Sequence, residues 1–295
     1  MTRDEPIEDC LAGRISPEVA VARLLLGGAT AATIAAGLAR HRSGDARWSA
    51  MAGLIEGRTD ALDQLAREVD ATVAQHDASG EDGIARIAAF FDRAVAYSPE
   101  ASVALYSLGD PAILAAATAE IVDWLQSHSL LHHIDDVLDL GCGIGRVAAV
   151  LSPRCRSVLG LDVSAGMVAE AQARHAALAN VRFQQTGGHD LDILPGSAFD
   201  LVLAIDSFPY IVQAGHGTVD RHVAGAARIL RPGGALVVLN FSYRGDDAAD
   251  RADATALAAA HGLTLERADP APFRLWDGTA FVFRAAGSLS RRRLG

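Results

Sequence analysis

Three cysteines are too few and too scattered for a disulfide framework or a zinc site. Cys10, Cys142 and Cys155 show no C-x-x-C spacing and are odd in number, a pattern expected in a reducing cytoplasm. Positive charge is scarce as well: 26 Lys and Arg stand against 36 Asp and Glu, a formal net charge of −10. Neutralising a phosphate backbone takes clustered cations, so no nucleic-acid partner is expected. The one basic cluster, Arg291-Arg292-Arg293, is read as a solvated tail. Long hydrophobic runs are missing too. The longest uncharged stretch, Leu24 to Ala39, is mostly Ala, Gly and Thr, too short and too weakly apolar for a bilayer span; a pair of packed helices is expected there. The start, MTRDEPIEDC, lacks the basic residues and apolar core of a signal peptide. These absences point to a soluble, cytoplasmic protein that meets no membrane.

What is present is apolar material: half of the 295 residues are hydrophobic, enough for more than one average domain. Residues 1–125 carry helix signals and almost no strand signals. Ser16-Pro17-Glu18 reads as an N-cap, a proline in the first turn and an acid beside it, and Gly27-Gly28 as the stop. Asp45 and Gly57 bracket another helix. Apolar stripes predict helices over Asp60–Gln75 and Ile84–Tyr97, and Asp110-Pro111 opens one that runs to about Leu125.

From residue 135 the texture changes to strands alternating with helices. Strands are expected at Asp136–Leu140, Val158–Asp162, Val181–Gln185, Phe199–Ile205 and Ala235–Phe241. Helices are expected at Val147–Leu151, Ala165–Ala179, Thr218–Leu230 and Ala252–His261. This alternation predicts a parallel sheet covered by helices. Two further strands, Leu263–Arg267 and Thr279–Arg284, are joined by ADPAPFRLWDG with no helix between them, so the last strand should be antiparallel. The expected fold is α/β: a Rossmann-like, mostly parallel seven-stranded sheet with an antiparallel last strand, plus a helical N-terminal domain. The domains are placed at 1–125, as a lid, a homodimer interface or both, and 126–295.

The chemistry centres on Val137–Arg146, VLDLGCGIGR. An apolar strand ends on an acid, and glycines then fall on alternate positions. Glycine at a strand end permits a sharp turn and close approach of a ligand to the backbone. A dinucleotide turn would read G-x-G-x-x-G, but the slot for its third glycine holds Arg146. Asp139, two residues before Gly141, would repel a pyrophosphate and welcome an ammonium group. Asp162 ends the second strand about 20 residues on, where a carboxylate can accept ribose hydroxyl protons.

Four segments in order, VLDLGCGIGR, GLDVSAGMV, AFDLVLAIDSF and ILRPGGALVVLNF, together resemble the class I S-adenosylmethionine-dependent methyltransferases over about residues 100–286. The resemblance implies S-adenosylmethionine as cofactor. It implies that Asp139, Gly141 and Gly143 line the methionine end and that Asp162 holds the ribose. Val163 and Met167 would pack near the adenine, with Gly188 and His189, in Gly187–Leu191, beside its amine. Ala204 and Ile205 would end the fourth strand under the cofactor. Arg231–Gly234 resembles the family's structural turn before the fifth strand.

On the acceptor side, Ile205–Tyr210 follows the fourth strand. Asp206 is the candidate base or amine-orienting group, or a helix cap, and Tyr210 the candidate aromatic partner; both are assigned to catalysis. Asn240, Tyr243 and Arg244 follow the fifth strand and are assigned to substrate binding. Arg244 suits a carboxylate or a surface ion pair. Tyr106 and Trp276 are added as aromatics that close the pocket or pack between elements. A divalent ion held by Asp206, Asn240 and Asp246 or Asp247 is the lesser alternative, and no metal is assigned. His132, His133, His216, His222 and His261 are read as solvated. The expected function is methyl transfer to a small-molecule nitrogen or oxygen nucleophile. The alternatives are a cofactor-binding regulatory protein that transfers nothing and a nicotinamide-dependent oxidoreductase, against which Asp139 and Arg146 count.

Overall fold

Caps written into the sequence decide where the first helices begin. In the computed structural model, which describes residues 5–40, 44–73 and 83–287 with the side chains of 68–73 excepted, Ser16 Oγ accepts the Val19 N–H at 3.1 Å. That bond opens α2 (Pro17–Leu26), after the short α1 (Glu5–Leu11). Gly28, at φ +80°, turns the chain before α3 (Ala31–Arg40). Asp45 accepts the Arg47 N–H at 2.7 Å and starts α4 (Ala46–Ile55). Then come α5 (Thr59–Val73), α6 (Gly83–Tyr97), α7 (Pro99–Val103) and α8 (Pro111–Ser127). Arg291–Arg293 and the end of the expected Asp60–Gln75 helix lie outside the described residues.

The chain forms two compact units. The first takes the described residues of Met1–His76 together with Arg93–Glu120 and Phe273–Asp277. Val21, Leu25, Leu38, Met51, Ile55 and Leu62 are buried in it. Glu120 accepts the backbone N–H groups of Arg274 and Leu275 at 2.8 and 3.0 Å, and Arg23 pairs with Asp277 at 2.5 Å.

The second unit takes the described residues of Asp77–Asp92, Ile121–Pro272 and Gly278–Gly295. Its elements are β1 (Asp136–Leu140), α9 (Arg146–Leu151), β2 (Ser157–Asp162), α10 (Ala165–Arg174), β3 (Val181–Gln185) and β4 (Phe199–Ile205). They continue as α11 (Phe208–Gln213), α12 (His216–Ile229), β5 (Leu230–Leu239), α13 (Asp247–Ala260), β6 (Leu263–Asp269) and β7 (Ala280–Ala285). The strand order is β3-β2-β1-β4-β5-β7-β6. The chain leaves β1 toward β2 and later returns on its other side as β4, so the order reverses at the β1/β4 crevice, the usual ligand position in such sheets. The last strand is antiparallel, as expected, to both β5 and β6. It lies inside the sheet rather than at its edge. The two sequences explain why: AFVF in β7 is buried throughout, whereas LTLERAD in β6 alternates with exposed residues.

Residues 208–213 form a short helix with Pro209 in its first turn. Two local expectations are corrected. β5 starts at Leu230, because the Arg231–Gly234 turn, with Gly233 at φ +75°, is absorbed into the strand beside a register shift against β4. His222 is buried on α12, its Nδ1 2.8 Å from the Thr218 carbonyl oxygen.

At the N-terminal edge of the sheet, acids meet arginines. Asp136 is paired bidentately by Arg156 and also by Arg231 at 2.9 Å; Arg231 reaches on to Asp200 at 2.5 Å. The Arg156 guanidinium, with Ser157 and Arg231, holds the Asp136 carboxyl well below the usual carboxylate range. Among the described residues, no helix is long and apolar enough to cross a membrane.

Candidate functional site

The glycine turn is pinned to the neighbouring strand before any ligand is considered. The N–H groups of Gly141 and Cys142 both donate to the Leu161 carbonyl, at 2.7 and 3.0 Å. Gly141 has φ +75°, and a Cβ there would stand 2.3 Å from Ser207 Cβ. Only glycine admits that approach. Ser207 Oγ in turn donates to the Leu140 carbonyl at 2.5 Å, which ties the end of β1 to the segment after β4. Gly145 serves a different purpose: at φ +76°, its added Cβ would lie 2.6 Å from the Phe183 ring and 2.9 Å from His175. The third glycine therefore makes room for side chains of the protein.

Asp162 sits at the end of β2 with both carboxylate oxygens engaged. Oδ2 accepts the Gly143 N–H and Oδ1 the Ser164 N–H, each at 2.9 Å. Burial pushes its pKa up, against those N–H groups and that of Val163. Asp162 thus fixes the second glycine of the turn as well as its own strand end. Asp139 is 2% exposed, and its Oδ2 is buried without a hydrogen-bond partner among the described residues. Burial raises its pKa to about 7; Arg146 opposes this through space and Asp162 adds to it.

The other expected cofactor residues gather on the same edge. Met167 is buried on α10, whose start is capped by Ser164. A Cβ on Gly188, at φ +73°, would meet Val163 Cγ1 at 2.5 Å and Ile84 Cγ2 at 2.9 Å. His189 is exposed, and its carbonyl accepts from Arg221. Ala204 and Ile205 are buried at the end of β4.

Beyond β4 the backbone is strained at two non-glycine residues, Asp206 at φ +56° and Asn240 at φ +72°. Asp206 Oδ1 accepts from Asn240 Nδ2 at 3.0 Å and from the Tyr243 hydroxyl at 2.9 Å. The Tyr210 and Tyr243 rings meet edge to face at 5.6 Å. Burial and the Asp206 charge push the Tyr210 phenol above its ordinary value. Four expected residues, Asp206, Tyr210, Asn240 and Tyr243, are therefore brought together. Arg244 is turned onto α13 instead, paired with Asp250 at 2.6 Å and Asp253 at 2.8 Å. Tyr106 and Trp276 stack on each other in the first unit at 6.4 Å, with Phe273 against Trp276 at 5.3 Å. Among the described residues no three His, Cys, Asp or Glu side chains gather as a metal ion would need. Asp246 caps α13 by accepting the Ala249 N–H.

Sequence reasoning missed the first part of α6. Asp92 Oδ1 accepts from Ser164 Oγ at 2.6 Å and from the Gly166 N–H at 2.8 Å, and Phe91 meets Tyr210 edge to face at 5.0 Å. Residues 83–97 announce only an amphipathic helix; nothing in their order says which face meets α10.

Residues 137–234 match a family model described as a methyltransferase domain. The chain is similar to demethylmenaquinone methyltransferase of Tropheryma whipplei, 31% identical over 109 residues, which cover 37% of this chain and 43% of the relative. It is 40% identical over 104 residues to trans-aconitate 2-methyltransferase of Deinococcus radiodurans, covering 35% and 36%. The chain therefore spans less than half the length of these curated relatives. Among solved structures, phosphoethanolamine N-methyltransferase 1 of Haemonchus contortus shares the fold, with TM-score 0.55 and 16% identity over 72% of this chain and 51% of that one. The glycine turn led by Asp139 lies inside residues 137–234, the span that matches a methyltransferase domain, at the crevice where the strand order reverses.

Proposed function

We propose that the protein transfers a methyl group from S-adenosylmethionine to a small-molecule nucleophile, nitrogen or oxygen. The observation that carries this is Asp139, a buried carboxyl with an oxygen left without a partner among the described residues, beside a turn that no side chain can fill. A buried polar atom without a partner is costly, and a ligand ammonium group meets that need. The residues present fit the cofactor. Asp139, Gly141 and Gly143 would take its amino-acid end, Asp162 its ribose, and Val163, Met167 and Gly188 its base. When bound, S-adenosylmethionine supplies a methyl group already activated on a sulfonium. The protein's task is then to align the acceptor and to take a proton where the acceptor arrives protonated; Asp206 is the group assigned to both. Relatives named for demethylmenaquinone and trans-aconitate support a small acceptor, as does the net charge of −10.

Calorimetric titration with S-adenosylmethionine, S-adenosylhomocysteine and NAD tests the proposal. Both adenosyl ligands should bind and NAD should not. Asp162→Ala should weaken binding by roughly 1–3 kcal/mol through lost charge-assisted hydrogen bonds. Unchanged affinity in a variant with parental circular dichroism rejects the ribose assignment, and binding of NAD alone rejects the proposal.

A further inference from the structure

We propose that the first part of α6, Gly83–Asp92, is a gate on the cofactor's site, latched by Asp92; this deepens the methyl-transfer reading above and rests on it. This stretch and the residues it meets all belong to the second unit. It touches the chain after three different strands. Past β3, Ile84 Cγ2 and Val163 Cγ1 close over Gly188, where a Cβ would meet them at 2.9 and 2.5 Å. Past β2, Asp92 Oδ1 accepts from Ser164 Oγ at 2.6 Å and from the Gly166 N–H at 2.8 Å. Past β4, Phe91 meets Tyr210 edge to face at 5.0 Å. In the strand order β3-β2-β1-β4 these contacts bracket the ends of β2 and β1, which carry Asp162 and the glycine turn. From Ile84 to Asp92 a helix advances about 12 Å, and β3 stands about 14 Å from β4 across the two strands between them. With its side chains, one helical segment is long enough to reach across the site.

The two sides of the latch differ. Ser164 is fixed: it is buried, its N–H donates to Asp162 Oδ1 at 2.9 Å, and its Oγ accepts the Met167 N–H at 3.0 Å. The serine that Asp92 grips is thus tied to the two residues assigned to the ribose and the base, which are 8% and 1% exposed. Asp92 is free to leave. It is exposed, as is its bond to Gly166, and water replaces an exposed hydrogen bond at small net cost. Its charge also acts on Asp162, so the latch closes against a like charge. The part that moves is therefore α6.

A gate that closes over both the free and the loaded site slows entry and exit alike. Cutting the latch should then raise both rates and leave their ratio where it was. That signature separates a gate from a residue that holds the ligand, whose loss speeds exit alone.

The test is surface plasmon resonance with S-adenosylhomocysteine on the full chain, comparing the parent with Asp92→Ala and Asp92→Asn. In Asp92→Ala the association and dissociation rate constants should each rise about tenfold, with Kd within about twofold of the parent's. Asp92→Asn keeps an oxygen that accepts from Ser164 and Gly166 but loses the charge, and both rates should rise about threefold. Rates that neither variant moves overturn the gate. A rise in dissociation alone, with Kd raised equally, also overturns it, because Asp92 then holds the bound ligand. If Asp92→Ala loses the parental circular dichroism, Asp92→Asn decides by the same two rates. If S-adenosylhomocysteine does not bind the parent, the methyl-transfer reading fails and the gate with it. If it binds and the variants leave its rates alone, only the gate fails.

Discussion

The two edges of the sheet treat their acids in opposite ways. At the N-terminal edge, Asp136 and Asp200 are met by the guanidinium groups of Arg156 and Arg231. At the C-terminal edge, backbone N–H groups donate to Asp162, and an amide and a phenol donate to Asp206. Among the described residues Asp139 leaves one oxygen unmet, and Arg146 acts on it through space. The first arrangement stabilises a fold and asks for nothing more. The second keeps negative charge in place at the end where ligands bind, and a cationic ligand completes it.

The sharpest way to break this contrast is Asp139→Asn. The folded-state pKa of Asp139 is raised to about 7 from 3.8, so the carboxyl is largely neutral below that value and ionised above it. A ligand ammonium favours the ionised form. Affinity for S-adenosylmethionine should therefore rise as pH goes from about 6 to about 8, with a limiting slope of about tenfold per unit on the acid side. In Asp139→Asn the slope should vanish, and at pH 8 affinity should be about 10–100-fold lower. Stability should move the other way. A raised carboxyl pKa means the folded chain holds the proton that the unfolded chain has lost, so the parent loses stability as pH climbs from about 4 to about 7. The variant should lose less, since of the two buried carboxyls only Asp162 then remains raised. A variant with the parent's pH profile in calorimetry would remove Asp139 from the binding site.

The same contrast separates what could be read in the chain from what could not. The glycine turn and its acids were readable because one short segment, residues 137–146, carries them, with Asp162 a strand away. The strand–helix alternation gave the sheet, and even the direction of β7. The place of β7 between β5 and β6 depends on burial of AFVF on both faces, a fact about neighbours. The reason for Gly145 was hidden for a similar cause: the rings it admits, Phe183 and His175, come from β3 and the end of α10. Asp206, Tyr210, Asn240 and Tyr243, assigned to the acceptor, could be expected near one another because they follow strand ends. Phe91 and Asp92 could not, because α6 lies far back in the chain and its stripe does not say what it packs against.

A smaller effect is expected when the N-terminal edge is opened. Arg231→Ala removes the group shared by Asp136 and Asp200, whose side chains are 16% and 17% exposed. Leaving two partly buried carboxylates close together should cost about 1–2 kcal/mol of stability, read as a lower denaturant midpoint. Because Asp136 is held well below its ordinary pKa, its contribution is present above about pH 4 and is lost as pH falls further. The gap between variant and parent should close in acid. Cofactor affinity should stay within about twofold of the parent's. A drop as large as that of Asp139→Asn would erase the distinction between the edges.

The smallest effect is expected at Arg244, and it tests where the contrast ends. The residue follows β5 on the ligand edge, yet its guanidinium is spent on Asp250 and Asp253 of α13. Asp250 is buried and also accepts from Ser242 Oγ at 2.7 Å, so one hydrogen bond remains to it when the arginine is gone. Arg244 itself is 37% exposed and Asp253 48%, and exposed pairs are worth little after solvent screening. Arg244→Ala should therefore lower stability by no more than about 1 kcal/mol. That loss should shrink in high salt. Turnover and acceptor KM should both lie within about twofold of the parent's, since an arginine already satisfied by two acids offers no fork to an acceptor. A rise in KM of about tenfold or more with kcat unchanged would mean that Arg244 leaves α13 to hold the acceptor, and the ligand edge would then pair acid with arginine as the N-terminal edge does.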